Sequence, residues 1–330
     1  MNTLDARAAI LAYIQADIPC FVWGAPGIGK SDVVASIAAE LDFGLVDERL
    51  STLESVDLRG LPTLQEKSVV WAVPAMFEAI RAFGDRPVIL FLDELVNASP
   101  SMQAATYQLI LNRRIGPHVL GDNVRIVAAG NRQSDRAAAN RMPSALANRF
   151  AHVDVEADAG IWRAWAERAG IHPMVCAFIG FRPNLIHDMK DVNARAFPTP
   201  RSWVQVAKIA NAPEAIRPAL VAGLVGQSCA AEFEAFIQIW SRVPKLATIV
   251  ADPDGAPVAS ESDPALLYAT SVMLSRGATR QNFAAIVRYV ERMPQDLAAT
   301  CIIEATKRDA TLINTPAFID WAARNSDISV

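Results

Sequence analysis

The sequence predicts an α/β protein: a doubly wound parallel sheet in the first half of the chain, followed by an all-helical region. Three observations carry this. Short apolar runs alternate with segments of helical periodicity up to about residue 155, the order expected of strands and helices in a doubly wound sheet. One run, "RPVILFLDEL", is apolar almost without a break, as a central parallel strand buried on both faces requires. From about Glu156 helical segments follow one another with no buried-strand pattern.

The elements can be justified in order. Residues 3 to 16 have Thr3 as an N-cap candidate and apolar residues at Leu4, Ala8, Leu11 and Ile14, which predicts a helix. A short strand follows around Pro19 to Trp23, then a glycine loop, then a helix from about Lys30 to Leu41. "FGLVDERL" reads as the second strand. "DLRGLPTLQEKSVVWAVP" has turn residues at Gly60 and Pro62, with "SVVWAV" as the second arm of a hairpin and "AMFEAIRAF" as a helix after it. The acidic strand comes next. "SPSMQAATYQLILNRR" starts with Ser99 as cap and Pro100 at the first helical position, and carries a stripe of Met102, Ala105 and Leu109. "IGPHVLGDNVRIVAAGN" gives a hairpin and a buried strand ending at Asn131, and "MPSALANRFAHVDV" a short helix and a last strand. In the helical half, Trp162, Trp165, Phe178, Trp203 and Trp240 are expected in the core, and "ADPDGAPVASESDP" is the most loop-like stretch.

Composition narrows the class. The 330 residues are 52% hydrophobic, 20% charged and 7% aromatic, ordinary for a soluble globular chain with room for two domains. The formal net charge of −4 and the lack of a like-charge run argue against a nucleic-acid backbone as main partner. Cys20, Cys176, Cys229 and Cys301 form no C-x-x-C pair and have no histidines at metal-ligand spacing, so they read as reduced, mostly buried thiols of a cytoplasmic protein. The N-terminal stretch lacks the apolar centre of a signal peptide, and no apolar run is long enough to span a bilayer.

The stretch "GAPGIGKS", Gly24 to Ser31, carries the chemistry. It has the spacing G-x-x-x-x-G-K-[ST] between a strand and a helix, the context that gives the pattern its meaning. Gly24, Gly27 and Gly29 let the backbone bend so that its N–H groups converge on an anion, and the helix opening at Lys30 adds its positive end. Lys30 can reach β- and γ-phosphates and the Ser31 hydroxyl can bind Mg²⁺. Ala25, Pro26, Ile28 and Asp32 complete the binding stretch. In "VILFLDE", Asp93 ends a buried strand, where a carboxylate is costly unless it holds a cation or hydrogen bonds. Beside the glycine loop it can hold Mg²⁺ through water. Glu94 points the other way and is placed to polarise a water for attack on a γ-phosphate. Asn131, at the end of the next strand, can contact both that phosphate and the water.

Together, "GAPGIGKS", "FLDEL", "AAGN", "ALANRF" and "FPTPRSW" resemble the Walker A, Walker B, sensor 1, arginine-finger and sensor 2 elements of AAA+ ATPases, in wording similar to the MoxR-type branch that includes RavA and CbbQ. The resemblance covers residues 1 to about 212. It implies a P-loop NTPase core over 1–155, a helical lid with sensor 2 over 156–212, and a C-terminal helical extension over 213–330. It also implies ATP and Mg²⁺ as ligands, Asn131 as sensor 1, Arg149 as an arginine finger acting on a neighbouring subunit, and Arg201 as sensor 2. Arg136 and Arg141 compete with Arg149 for the finger. By the same resemblance the chain forms a homohexameric ring that remodels a protein client, beside a partner with a von Willebrand factor A (VWA) domain. Hairpins around "PTLQEKSVVWAV" and "RRIGPHVLGDNVR" would face the pore or that partner, with Trp71 as a contact anchor. A nucleic-acid translocating motor is the alternative. A nucleotide-gated binding module with little turnover is a third reading, which Glu94 opposes.

Overall fold

The structure, a computed structural model, describes residues 1–66, 68–135, 142–189, 191 and 194–325. These form two compact units, one of Met1–Trp162 with Ile186–Trp203 and one of Arg163–Leu185 with Val204–Val330. Residues 156–162 and 186–203, within the stretch expected as a lid, belong to the first unit.

The first unit contains α1 (Thr3–Gln15), β1 (Cys20–Trp23), α2 (Lys30–Glu40), β2 (Gly44–Arg49), α3 (Ser55–Arg59), β3 (Pro62–Gln65), β4 (Ser68–Trp71), α4 (Ala75–Arg81), β5 (Val88–Asp93), α5 (Pro100–Asn112), β6 (Arg114–Ile115), β7 (His118–Val119), β8 (Val124–Gly130), α6 (Ser144–Ala147) and β9 (Ala151–Asp154). Five strands make one sheet in the order β2-β5-β8-β1-β9, every pair parallel. β5 shows why the sheet is doubly wound. Val88, Leu90 and Leu92 face a core shared with Phe77 of α4 and with Met102, Ala105 and Leu109 of α5. Ile89 and Phe91 face the other core, with Ile10 and Ile14 of α1 and Val34 and Ile37 of α2. Each such side chain, fully buried, contributes about 1.5–3 kcal/mol. Both faces are covered, so β5 has no polar side until its last residue, Asp93.

The start of α5 is as expected: Pro100 occupies its first turn and Ser99 Oγ accepts from the Met102 amide at 3.3 Å. α1 corrects the sequence reading twice. Its N-cap is Asn2, whose Oδ1 accepts from the amides of Leu4 and Asp5 at 3.0 and 2.9 Å, and not Thr3. Its buried row is Ala6, Ile10 and Ile14, while Leu4 is exposed. The i, i+4 series that begins at Ala6 faces the sheet, and only Ile14 belongs to both sets.

The β3–β4 ribbon is antiparallel and exposed along both strands, including Trp71 and Leu64, the latter 81% exposed. The β6–β7 ribbon differs, because Ile115 and His118 are buried and His118 lies 5.4 Å from the ring of Phe77. The four cysteines are free and buried, and burial pushes the Cys20 and Cys301 thiols up to about 12.

The helical elements continue with α7 (Ala159–Arg168), α8 (Pro173–Phe181), α9 (Pro200–Ile209), α10 (Arg217–Val225), α11 (Gln227–Trp240), α12 (Leu246–Ala251), α13 (Pro264–Gly277), α14 (Phe283–Val290), α15 (Gln295–Arg308) and α16 (Pro316–Arg324). Phe178 meets Phe233 and Phe236 edge-on at 5.2 and 5.5 Å. A second cluster gathers Leu274, Phe283, Ile302 and Trp321 from α13 to α16. Trp162, Phe178 and Trp203 are buried and Trp240 half-buried, but Trp165 is 44% exposed, against the expectation that it joins the core. It lies on the flank of the face of α7 that buries Trp162 and Ala166. Among the described residues no helix is long and apolar enough to cross a membrane.

Candidate nucleotide site

The site forms where parallel strands end. β5, β8 and β1 are neighbours, and Glu94, Asn131 and Gly24 are the residues that follow them, so the strand order alone brings these three together. The loop is fastened there by the Gly24 amide, which donates to the Gly130 carbonyl at 3.2 Å.

Gly27 and Gly29 have φ of +75° and +94°, a left-handed backbone that side chains disfavour. Gly29 is the N-cap of α2 and provides no side-chain cap, which leaves the first amides of α2 available to an anion. Lys30 Nζ donates to the carbonyls of Gly24 and Ala25 at 2.7 and 3.1 Å and to Asn131 Oδ1 at 2.9 Å. The bond to Asn131 occupies its amide oxygen and leaves its N–H donors for an anionic ligand. Burial lowers the Lys30 pKa to about 8, with Arg201 adding to the effect and Asp93, Asp135 and Glu94 opposing it. The ammonium is thus held where its charge is poorly solvated, and a bound anion would restore it.

Ser31 Oγ donates to Asp93 Oδ2 at 3.1 Å, and Asp93 Oδ1 accepts from the Glu94 amide at 2.8 Å. Asp93 is only 6% exposed. A hydroxyl and a buried carboxylate side by side at a phosphate loop match what Mg²⁺ needs from protein when it keeps waters and phosphate oxygens as its other ligands. Among the described residues no cluster of three or more His, Cys, Asp or Glu could hold a metal.

Glu94 has φ of +56°, uncommon for a residue with a side chain and a form of strain that concentrates at functional sites. Ser51, in the turn Leu50–Thr52 after β2, donates its hydroxyl to Glu94 Oε2. The two carboxylates of "DE" therefore have separate partners, Ser31 for Asp93 and Ser51 for Glu94.

The segment 186–203 closes over the loop. The Arg201 amide donates to the Gly27 carbonyl at 3.1 Å, and Thr199 packs where a Cβ on Gly27 would sit, 2.9 Å from Oγ1. Arg201 is exposed, and its charge acts on Lys30. Arg149 is elsewhere. It is exposed, two residues before β9, whose Ala151 pairs with Cys20 at the start of β1. The glycine loop follows the other end of β1. Four residues of strand, about 13 Å, separate the two levels, so Arg149 does not join the cluster of Lys30, Asn131, Asp93 and Arg201. Arg136 and Arg141 lie outside the described residues.

Sequence reasoning did not single out Ser51, Asp135 or His187. None belongs to a motif, and each reaches the site through a turn whose course the sequence does not encode locally. The nearest signal for Asp135 is its place four residues after Asn131, where it also accepts from the Arg132 amide at 2.9 Å.

A five-stranded parallel sheet with this strand order, a glycine loop opening a helix, and acidic and amide residues at the adjacent strand ends define a P-loop nucleotide-binding fold of the AAA+ type. Comparison with known proteins agrees: residues 19–150 match a family profile described as AAA domain (dynein-related subfamily). A stretch of 163 residues, 47% of this chain, is 27% identical to midasin of Giardia intestinalis and spans 3% of that protein's length. Among solved structures, a mutant of RuvB from Thermotoga maritima is similar at 16% identity and a TM-score of 0.41, over 77% of this chain and 78% of that one. NtrX from Brucella abortus in complex with ADP is similar at 16% identity and a TM-score of 0.41, over 90% of this chain and 66% of its own.

Proposed function

We propose that this chain is a Mg²⁺-dependent ATP hydrolase of the AAA+ class that works as a ring, of six copies by resemblance to the MoxR-type branch, and remodels a protein client. The observation that carries the reading is the joining of Lys30, Asn131, Ser31 and Asp93 by hydrogen bonds at the ends of three adjacent strands. Gly24 to Asp32 hold the phosphates through loop and helix amides. Lys30 exchanges its carbonyl partners for β- and γ-phosphate oxygens. Ser31 and Asp93 hold Mg²⁺, which when bound offsets charge on the phosphates. Glu94, freed from Ser51, orients the attacking water and accepts its proton. Asn131 holds water and γ-phosphate in line, and Arg201 adds a cation from the start of α9.

The position of Arg149 supports action in trans. An exposed guanidinium a full strand length from its own glycine loop is free to meet the loop of a neighbouring copy, where an arginine finger is worth about 10³–10⁵ in rate. The exposed apolar β3–β4 ribbon supports a contact with a client, a VWA-domain partner or another copy. Residues 156–212 are the proposed lid and 213–330 the proposed extension.

Mixing variants tests the ring. Arg149→Ala and Lys30→Ala chains are each inactive alone, and mixed together they regain part of the turnover, because intact loops of one meet intact arginines of the other. No recovery at any mixing ratio would overturn the trans role. Stimulation of turnover by DNA or RNA with a steep salt dependence would replace the protein-client reading with a nucleic-acid motor.

A further inference from the structure

The segment over the glycine loop brings one side chain to it that the mechanism above does not use. Met189 packs against the core cluster that contains Ile28, Val33 and Val155, and the Asp188 amide donates to the Pro198 carbonyl at 3.1 Å. His187 lies just before them, close enough to the Pro26 carbonyl of the glycine loop to feel its charge. His187 Nε2 is buried and, among the described residues, has no hydrogen-bond partner. A buried polar atom left in that state is unfavourable and calls for a partner. The charged groups that face the ring are Lys30 from the start of α2, Asp135 from the turn after β8, and Asp188 from its own segment. A loop carbonyl, two carboxylates and an ammonium are poor surroundings for a flat apolar base, and the carbonyl and carboxylates favour a charged imidazolium once an anion joins Lys30 beside it.

We infer that His187 is a phosphate ligand of this site: its imidazolium donates from Nε2 to a phosphate oxygen of the nucleotide held by Gly24 to Ser31, and it takes up the required proton from solvent as the nucleotide binds. The inference rests on the nucleotide-binding reading above. In the free protein, burial holds the His187 pKa below its usual value, Lys30 adds to this, and Asp135, Asp188 and the Pro26 carbonyl oppose it. The ring is therefore neutral near pH 7 without ligand. A polyphosphate placed against it adds negative charge, reverses the balance and draws the proton in. The phosphate satisfies Nε2 with a charge-assisted bond.

The experiment is calorimetric titration of the whole chain, at about pH 6.5 in buffers of different ionisation enthalpy, with adenosine, ADP and a non-hydrolysable ATP analogue. Lys30 is almost fully protonated at that pH and contributes little. The expected result is uptake of a substantial fraction of a proton with ADP and the analogue, none with adenosine, and loss of that uptake in His187→Gln. The variant should bind the analogue ~10-fold more weakly at about pH 6.5, and the gap should narrow as pH rises and the imidazolium loses its proton. Should His187→Gln fold poorly, the resonances of the wild-type chain's four histidines give the same answer, because only His187 should become charged on addition of ADP. Binding of ADP without proton uptake, or uptake that persists in His187→Gln, overturns the inference alone. Uptake with adenosine assigns His187 to the nucleoside and overturns the phosphate role. Absence of any nucleotide binding by the wild-type chain overturns the nucleotide reading itself.

Discussion

At the residue scale, Lys30 shows how the site is prepared. Its ammonium is buried against two carbonyls and an amide oxygen, and its pKa falls to about 8 from an ordinary 10.5. The bound anion favours the charged form, so the free protein must be protonated at Lys30 to bind well. Affinity is then level below about pH 8 and falls up to about tenfold per pH unit above it. Fluorescent ADP titrated between about pH 7 and 10 measures this, and a flat profile would show that Lys30 does not carry the phosphate. The same shift affects stability with a definite sign. Between pH 10.5 and 8 the unfolded chain binds the Lys30 proton before the folded one does, so folding is weakened as pH falls through this window. Lys30 and Asp93 were legible because they belong to motifs. Ser51 and His187 were not, because each depends on where a turn places a side chain, and nothing in "LSTLE" or "NLIHD" encodes that.

At the element scale, the glycine loop and the segment 186–203 constrain each other. Gly27 needs a positive φ and also leaves the space that Thr199 fills. Gly27→Ala therefore meets both backbone strain and a close contact, and should destabilise the first unit by about 1–3 kcal/mol. A lower urea midpoint measures it, and Thr199→Ala in the same chain should recover only the contact part. An unchanged midpoint would mean that the loop adopts another backbone. Helix starts were legible where a polar cap precedes proline. Ser99–Pro100 was read in this way, and Asp263–Pro264 and Thr315–Pro316 begin α13 and α16 by the same device. The face of α1 was not legible, because its residues are apolar on more than one side and only the sheet decides between Leu4 and Ala6.

At the scale of the molecule, the alternation of apolar runs specified the sheet, since a parallel strand buried on both faces leaves a pattern that few other elements share. The order of strands was not written in any single run. It follows from the crossovers, and it turns three separated motifs into one site. The division of the chain shows the limit of local pattern. The composition changes from mixed to helical near Glu156, yet residues 186–203 return to the α/β unit because Thr199, Arg201 and Met189 pack on it. The same scale assigns Arg149 its place, because a parallel pairing of β9 with β1 sets it at the sheet edge away from the loop.

The most direct test of the central claim is release of phosphate from ATP with Mg²⁺, measured with nucleotide retention in the same samples for three chains. The wild type should bind and turn over. Glu94→Gln should bind equally well and hold ATP intact, with turnover lower by about 10²–10⁴, and Lys30→Ala should do neither. Parental turnover by Glu94→Gln, or undiminished binding by Lys30→Ala, would contradict the account.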